Sequence, residues 1–164
     1  MLNNFIKQAI EDHQFIKVES TLENISFFKK EKDALRRYII TYRTDKLEDA
    51  SFINELIINN TPTELLEAPA FAKNTDLIIV FQLDKLSNYK QYEKSIFDIE
   101  ENAYHFKKYV LYYSNEENQL ISGRTLIILE QFSQIMKNSP HIKQIHPDPA
   151  CITWQLEFSL NYLF

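Results

Sequence analysis

The stretch Leu-Ile-Ile-Val-Phe at residues 77–81 is the longest strongly apolar run in the chain. Consecutive side chains of a β-strand point to opposite faces, so a run without polar residues is typical of a strand buried on both faces. The run is far shorter than the ~20 apolar residues that a membrane-spanning helix requires. It therefore predicts a strand in the centre of a sheet.

Two segments before this strand predict a hairpin, and one segment after it predicts a further strand. Residues 25–30 and 36–43 are rich in Phe, Ile and Tyr, and the charged residues 31–33 separate them. Two such runs with a short polar connection are typical of paired antiparallel strands. Residues 109–113 are rich in aromatic and aliphatic side chains and predict another strand.

Helical patterns occupy much of the remaining sequence. Apolar residues recur with helical spacing over residues 2–10, which predicts an amphipathic helix. Asp45 begins a capping-box pattern for a helix that reaches about Ile58. Thr61 and Ser87 are the predicted N-caps of two further helices.

Length and composition fit one globular domain. The chain has 164 residues, of which 45% are hydrophobic and 25% charged, and no repeat or Gly/Ser linker divides it. A last helix is predicted over residues 126–136. We therefore predict a single α+β domain over residues 1–164, a mixed β-sheet with an early hairpin and helices packed on it.

The chain contains one glycine, Gly123, which excludes several classes of enzyme. P-loops, dinucleotide-binding fingerprints and the nucleophile elbow of α/β-hydrolases each require two or more glycines. Without glycine, the positions that need a positive φ are expected to fall on Asn or Asp. The candidates are Asn59, Asn60, Asn115 and Asn138.

The sequence contains no clear pattern for a metal site or a nucleophile. The single cysteine, Cys151, cannot form an intramolecular disulfide, which indicates a reducing cytoplasm. No Asp-x-Lys or Glu-x-Lys triplet of the kind found in strand-borne nuclease sites occurs. His141, His146 and Asp148 are close in sequence, but the neighbouring prolines favour a solvated loop over a metal site. We therefore expect a protein that is not an enzyme and holds no metal or cofactor.

Basic and aromatic residues lie side by side in residues 27–30, 36–43 and 104–109. Cations in such a setting can hold phosphates while aromatic rings stack or pack at a partner surface. The alternative is that the rings face the core and the cations face water. The net charge of −5 argues against a surface that binds nucleic acid everywhere. The candidate contacts with a partner or with DNA are Lys29, Lys30, Arg36, Arg37, Arg43, Lys107 and Lys108.

Residues 152–164 are apolar at every second position, which is the period of a strand with one buried face. A helix that begins at Asp148 and Pro149 is the alternative. In either case the apolar stripe is expected to pack against another surface, because an exposed stripe of this size would favour aggregation. It either completes the sheet of this domain or docks on a partner by strand addition. The candidate docking residues are Trp154, Phe158, Tyr162 and Phe164.

The run DIEENAYHFKKYVLYY at residues 98–113, together with residues 74–78 and 84–87, resembles a known family. It is similar to the middle component 1 family of bacterial ABC-three-component systems, the Lamassu-type defence operons. The similarity covers residues 74–113 and contains no catalytic motif.

The resemblance implies a small non-enzymatic adaptor subunit in the cytoplasm. Its partners would be an SMC-like ATPase that senses foreign DNA and an effector, often a nuclease. The subunit would contact double-stranded DNA mainly through the complex. The resemblance implies neither a cofactor nor a membrane partner. The alternative function is a small nucleic-acid-binding module that contacts DNA through a local basic and aromatic patch.

Overall fold

The computed structural model describes residues 2–20, 22–32 and 35–115. The elements follow one another as α1 (Leu2–Asp12), β1 (Ile16–Val18), β2 (Ile25–Lys32), β3 (Leu35–Thr44), α2 (Ala50–Asn60), α3 (Thr63–Leu66), β4 (Thr75–Leu83), α4 (Tyr89–Glu100) and β5 (Lys107–Ser114). The predictions for residues 126–136, 141–148 and 152–164, and those for Gly123, Asn138 and Cys151, lie outside the described residues.

The strands form one mixed sheet in the order β1-β2-β3-β4-β5. The pairs β1–β2 and β2–β3 are antiparallel, whereas β3–β4 and β4–β5 are parallel. The predicted hairpin is therefore confirmed as β2 and β3, which pair from Ile25 with Tyr42 to Lys32 with Leu35. The predicted α+β fold, with a mixed sheet and packed helices, is confirmed as well.

The apolar run at 77–81 lies in β4, between β3 and β5, as predicted. Each of its five side chains is at most 1% exposed. Fully burying an aliphatic or aromatic side chain is worth about 1.5–3 kcal/mol, so this strand is a main source of stability. Leu77, Ile79 and Phe81 belong to one hydrophobic cluster, and Ile78 and Val80 to the other.

The two faces of the sheet carry different helices. On the first face, which we call the α1 face, α1 packs its apolar stripe on Phe28, Ile39, Ile78 and Val80. On the opposite face, residues of α2, α3 and α4 pack on the other side of the same strands. In the described residues, no helix is both long enough and apolar enough to cross a membrane.

The start of α2 differs from the prediction. Asp49, not Asp45, is the N-cap, because its carboxylate accepts hydrogen bonds from the backbone N–H groups of Ser51 and Phe52, both at 2.9 Å. The helix begins at Ala50, the first helical residue buried against the sheet. The local pattern permitted either cap, and the packing of the helix selects the later one.

The predicted caps of the next two helices are also wrong. The hydroxyl of Thr61 donates to the carbonyl of Ile57 at 2.7 Å, so Thr61 closes α2 instead of capping α3. The N-cap of α3 is Pro62, which makes no side-chain capping bond. A 3₁₀ turn that contains Ser87 precedes α4, whose N-cap is Asn88.

Positive φ angles occur at other residues than the asparagines that were predicted to have them. In the described residues, the non-glycine positions with positive φ are Gln14, Ala70 and His105, at 67°, 57° and 64°. Asn59 and Asn60 lie within α2 instead. The prediction that asparagine or aspartate takes these positions is therefore wrong for this part of the chain.

Candidate partner interface

Four charged side chains form a row across the α1 face. Lys30, Arg37, Asp76 and Lys107 each lie two residues from a residue buried on that face, and side chains two apart on a strand share a face. Lys30 is the register partner of Arg37, and Asp76 is the register partner of Lys107. The row therefore crosses four neighbouring strands, and we call it the charged row.

The ammonium groups at the two ends of the charged row lie against aromatic rings. The Nζ of Lys30 donates to the carbonyl of His13 at 2.9 Å and lies 5.6 Å from the ring centroid of Phe15. The Nζ of Lys107 lies 5.1 Å from the ring centroid of Tyr109. Cation–π contacts of this kind fix the position of a side chain while leaving its charge able to attract an anion.

The middle of the charged row is a partly buried ion pair. Arg37 Nη2 donates to Asp76 Oδ2 at 2.6 Å, joining β3 to β4. Asp76 is only 5% exposed. Burial raises the pKa of Asp76, while the charges of Arg37 and Lys107 act in the opposite direction. With three cations and one anion, the row carries a net positive charge that favours an anionic partner.

A second group of cations lies towards the other end of the α1 face. Arg43 is on the same face as Ile39, four residues further along β3. Burial, followed by the charges of Lys17 and Arg43, lowers the pKa of Lys7. These three cations therefore lie close enough to repel one another. Lys7 and Lys17 were not among the predicted contacts, although helical and strand periodicity could have placed both near this face.

The other predicted basic residues do not join these groups. Lys29 lies on the opposite face, and its Nζ donates to Glu64 Oε1 of α3 at 3.2 Å. Arg36 Nε lies 3.8 Å from Glu31 Oε1, across the end of the hairpin. The structure thus gathers Lys30, Arg37 and Lys107 into one row and separates them from Lys29 and Arg36.

Lys108 is not a surface cation, and the expectation that it is one is wrong. The residue is 2% exposed. Its Nζ donates to the carbonyls of Asn102, Tyr104 and Phe106 and to Asn102 Oδ1, at 2.7–3.1 Å. Burial lowers the pKa of Lys108 to about 8. The residue holds the loop between α4 and β5 in place, and a partner cannot reach its ammonium in this arrangement.

The remaining predicted site residues are not among those described. Trp154, Phe158, Tyr162 and Phe164 lie outside the described residues. Within residues 2–20, 22–32 and 35–115, no group of three His, Cys, Asp or Glu side chains is placed to hold a metal ion.

A model of a known protein family matches the chain. The family model of the ABC-three component (ABC-3C) system Middle Component 1 matches residues 37–136, more than half of the chain. The match begins at Arg37 of the charged row and includes β4 and β5. No curated protein and no solved structure matches the chain significantly.

Proposed function

The chain belongs to the Middle Component 1 family of ABC-three-component systems, and on this premise we propose that it is a non-catalytic adaptor of a bacterial defence complex. It would link an SMC-like ATPase, which senses foreign DNA, to an effector such as a nuclease. We assign the system to the Lamassu type and the complex to the cytoplasm. The family match carries this proposal, because middle components are defined by membership of a multi-component system.

The charged row supports a role in assembly. Lys30 and Lys107 are held in fixed positions by aromatic rings, and Arg37 is held by Asp76. Side chains that are already ordered lose less conformational entropy when a partner binds. We propose that the row meets an acidic surface of the ATPase or the effector, and that Arg43, further along the same face, lies at the margin of that contact. Lys29 and Arg36 lie off this face and would contact a partner separately.

Co-purification tests the adaptor role. The chain is co-expressed with the ATPase and the effector encoded beside its gene, and each is tagged in turn. We expect the Lys30→Glu/Lys107→Glu variant to weaken the complex by at least ~10-fold, since reversed charges at an interface repel the partner. Its melting temperature is expected to fall only modestly, because Lys107 is exposed and Lys30, which is half-buried, loses one hydrogen bond and one ring contact. Arg37 is not substituted, because a change there would remove the ion pair of the buried Asp76 carboxylate and could destabilise the fold.

The matched control is Lys85→Glu/Lys90→Glu, which makes the same change in net charge at exposed positions near and on α4. It is expected to leave the complex intact. Equal weakening by both double variants would contradict an interface at the charged row. Failure of the wild-type chain to associate with both partners would contradict the adaptor role itself.

Direct binding of DNA is the second candidate, favoured by the cations of the α1 face. If it is correct, the isolated chain retards double-stranded DNA in a gel, and retardation weakens steeply with added salt because counterions are released on binding. The Lys30→Glu/Lys107→Glu variant would then lose this activity while the control variant keeps it. Binding to the protein partners without retardation of DNA favours the adaptor alone.

The C-terminal residues remain a proposed docking segment. We propose that Trp154, Phe158, Tyr162 and Phe164 contact a partner subunit. Deletion of residues 153–164 is expected to leave a folded chain that no longer co-purifies with one of its partners. Unfolding of the truncated chain, measured by circular dichroism, would show that the segment belongs to the core and would contradict docking.

A further inference from the structure

An open groove lies between α2 and the loop that leads from α4 to β5. Its volume is about 350 Å³. Ser51, Asn54, Glu55 and Asn59 line it from α2, and Tyr104 and His105 line it from the loop. The groove is distinct from the charged row, because α2 packs on the face of the sheet opposite to α1.

The lining of the groove suits a cation. Glu55 supplies a carboxylate, and neither Lys nor Arg is among the described lining residues. Tyr104 is 75% exposed, so its ring is available to a ligand. An aromatic ring attracts a cation to its face, and a carboxylate forms strong, often bidentate hydrogen bonds with a guanidinium. The combination of ring and carboxylate therefore matches a planar cation better than an anion or an apolar group.

The loop wall of the groove is held in place before any ligand arrives. Lys108 Nζ donates to three carbonyls of residues 102–106, including that of Tyr104 at 2.7 Å. Asn54 Nδ2 donates to Asn102 Oδ1 at 3.3 Å, which ties the loop to α2. His105 takes a left-handed conformation with φ at 64°, which turns the chain beside the groove. Binding of a ligand at Tyr104 therefore costs little conformational entropy in the loop.

One buried acceptor at the α2 wall lacks a donor. Asn54 Oδ1 accepts no hydrogen bond within the described part of the chain, while the amide nitrogen of the same side chain is used by Asn102. A buried acceptor without a partner costs about 1–3 kcal/mol. Asn54 Oδ1 is enclosed, so a ligand in the groove meets the exposed side chains of Ser51 and Asn59 instead. A guanidinium has five N–H donors, so it can serve Glu55 and still offer a donor to one of these two.

We propose that this groove binds the guanidinium of an arginine side chain presented by a partner protein. The identity of the bearer as a partner subunit rests on the proposed adaptor function. The recognition itself does not, because it depends only on Tyr104, Glu55 and the exposed polar side chains of Ser51 and Asn59. Arginine is preferred to lysine because a planar guanidinium can stack on the ring and pair with the carboxylate at the same time.

Nuclear magnetic resonance tests the proposal with a defined probe. The ¹⁵N-labelled chain is titrated with N-acetyl-arginine amide and, in parallel, with N-acetyl-citrulline amide, which has nearly the same shape without the charge. We expect the arginine probe to shift the backbone amide signals of residues 51–59 and 102–106, and the citrulline probe to leave them nearly unchanged. Glu55→Gln and Tyr104→Ala are each expected to weaken binding about 3- to 10-fold.

Phe97→Ala is the matched control for the aromatic substitution. Phe97 is also an exposed aromatic residue, but it lies on α4 and outside the groove. Its removal is expected to leave binding unchanged. Circular dichroism establishes that each variant is folded before titration.

Three outcomes would overturn the proposal: equal binding of the citrulline probe, signal shifts confined to other parts of the chain, or undiminished binding by the Glu55→Gln variant. None of them bears on the adaptor role, which co-purification measures separately. Conversely, a chain that binds the arginine probe but fails to co-purify with its partners would contradict the adaptor role and leave the groove assignment intact.

Discussion

Replacement of Lys108 by Met is expected to lower the free energy of unfolding by about 2–4 kcal/mol at pH 7. Methionine has nearly the length of lysine but no hydrogen-bond donor, so the carbonyls of Asn102, Tyr104 and Phe106 lose the ammonium that binds them. Urea denaturation followed by circular dichroism measures the loss. The Lys90→Met control, at an exposed position of α4, is expected to change stability by less than about 0.5 kcal/mol.

The contribution of Lys108 should also depend on pH. Burial lowers its pKa to about 8 from the ordinary 10.5. Between these values the unfolded chain binds this proton more tightly than the folded protein, so stability from this group rises with pH. The difference in unfolding free energy between the wild type and the Lys108→Met variant should therefore grow from about pH 8 to about pH 10.5. A loss near zero at pH 7, or a difference that shrinks across this window, would contradict the assigned role.

Replacement of Phe71 by Ala is expected to cost about 3–5 kcal/mol. Phe71 is 4% exposed and lies in the connection between α3 and β4. Its ring meets that of Tyr38 edge to face at a centroid distance of 5.0 Å, and that of Phe106 at 6.0 Å. Removing the ring leaves a cavity between β3 and the loop before β5, and the edge-to-face contacts are lost as well.

Tyr38→Phe is the control for this aromatic cluster, because it keeps the ring and removes the hydroxyl. The hydroxyl of Tyr38 is buried and makes no hydrogen bond within the described residues. Its removal is therefore expected to leave stability unchanged or to raise it slightly. Chemical denaturation of the two variants in the same buffer measures both effects. A Phe71→Ala variant that loses less than about 1 kcal/mol would show that the surrounding residues collapse into the space.

The elements of the sheet could be predicted from the sequence because their patterns are local and strong. The run at 77–81 has no polar residue, and the two hairpin segments are rich in Phe, Ile and Tyr on either side of a short charged stretch. Helix starts are less certain because several polar residues can cap. Asp45 and Asp49 both have the right chemistry, and the burial of Ala50 on the sheet decides between them.

The candidate site could be predicted only in part. The sequence identified Lys30, Arg37 and Lys107, but strand alternation had to be combined with strand order before they could be placed in one row. The burial of Lys108 had no local signal, since Lys107 and Lys108 each lie two residues before a buried residue, Tyr109 on one face and Val110 on the other. The convergence of three loop carbonyls on its ammonium had none, because backbone acceptors are not visible in a sequence.

The order of the strands in the sheet is the same as their order in the chain. If the strands fold in the order of their synthesis, each one can join the edge of the strand before it, and none has to insert between two strands that are already paired. During synthesis, all residues of β2 and β3 are made before the first residue of β4. Until β4 arrives, the edge of β3 presents unpaired backbone groups that can capture another chain. The connection between β3 and β4, residues 45–74, is 30 residues long. The time needed to synthesise it therefore sets the minimum time for which the edge of β3 stays unpaired.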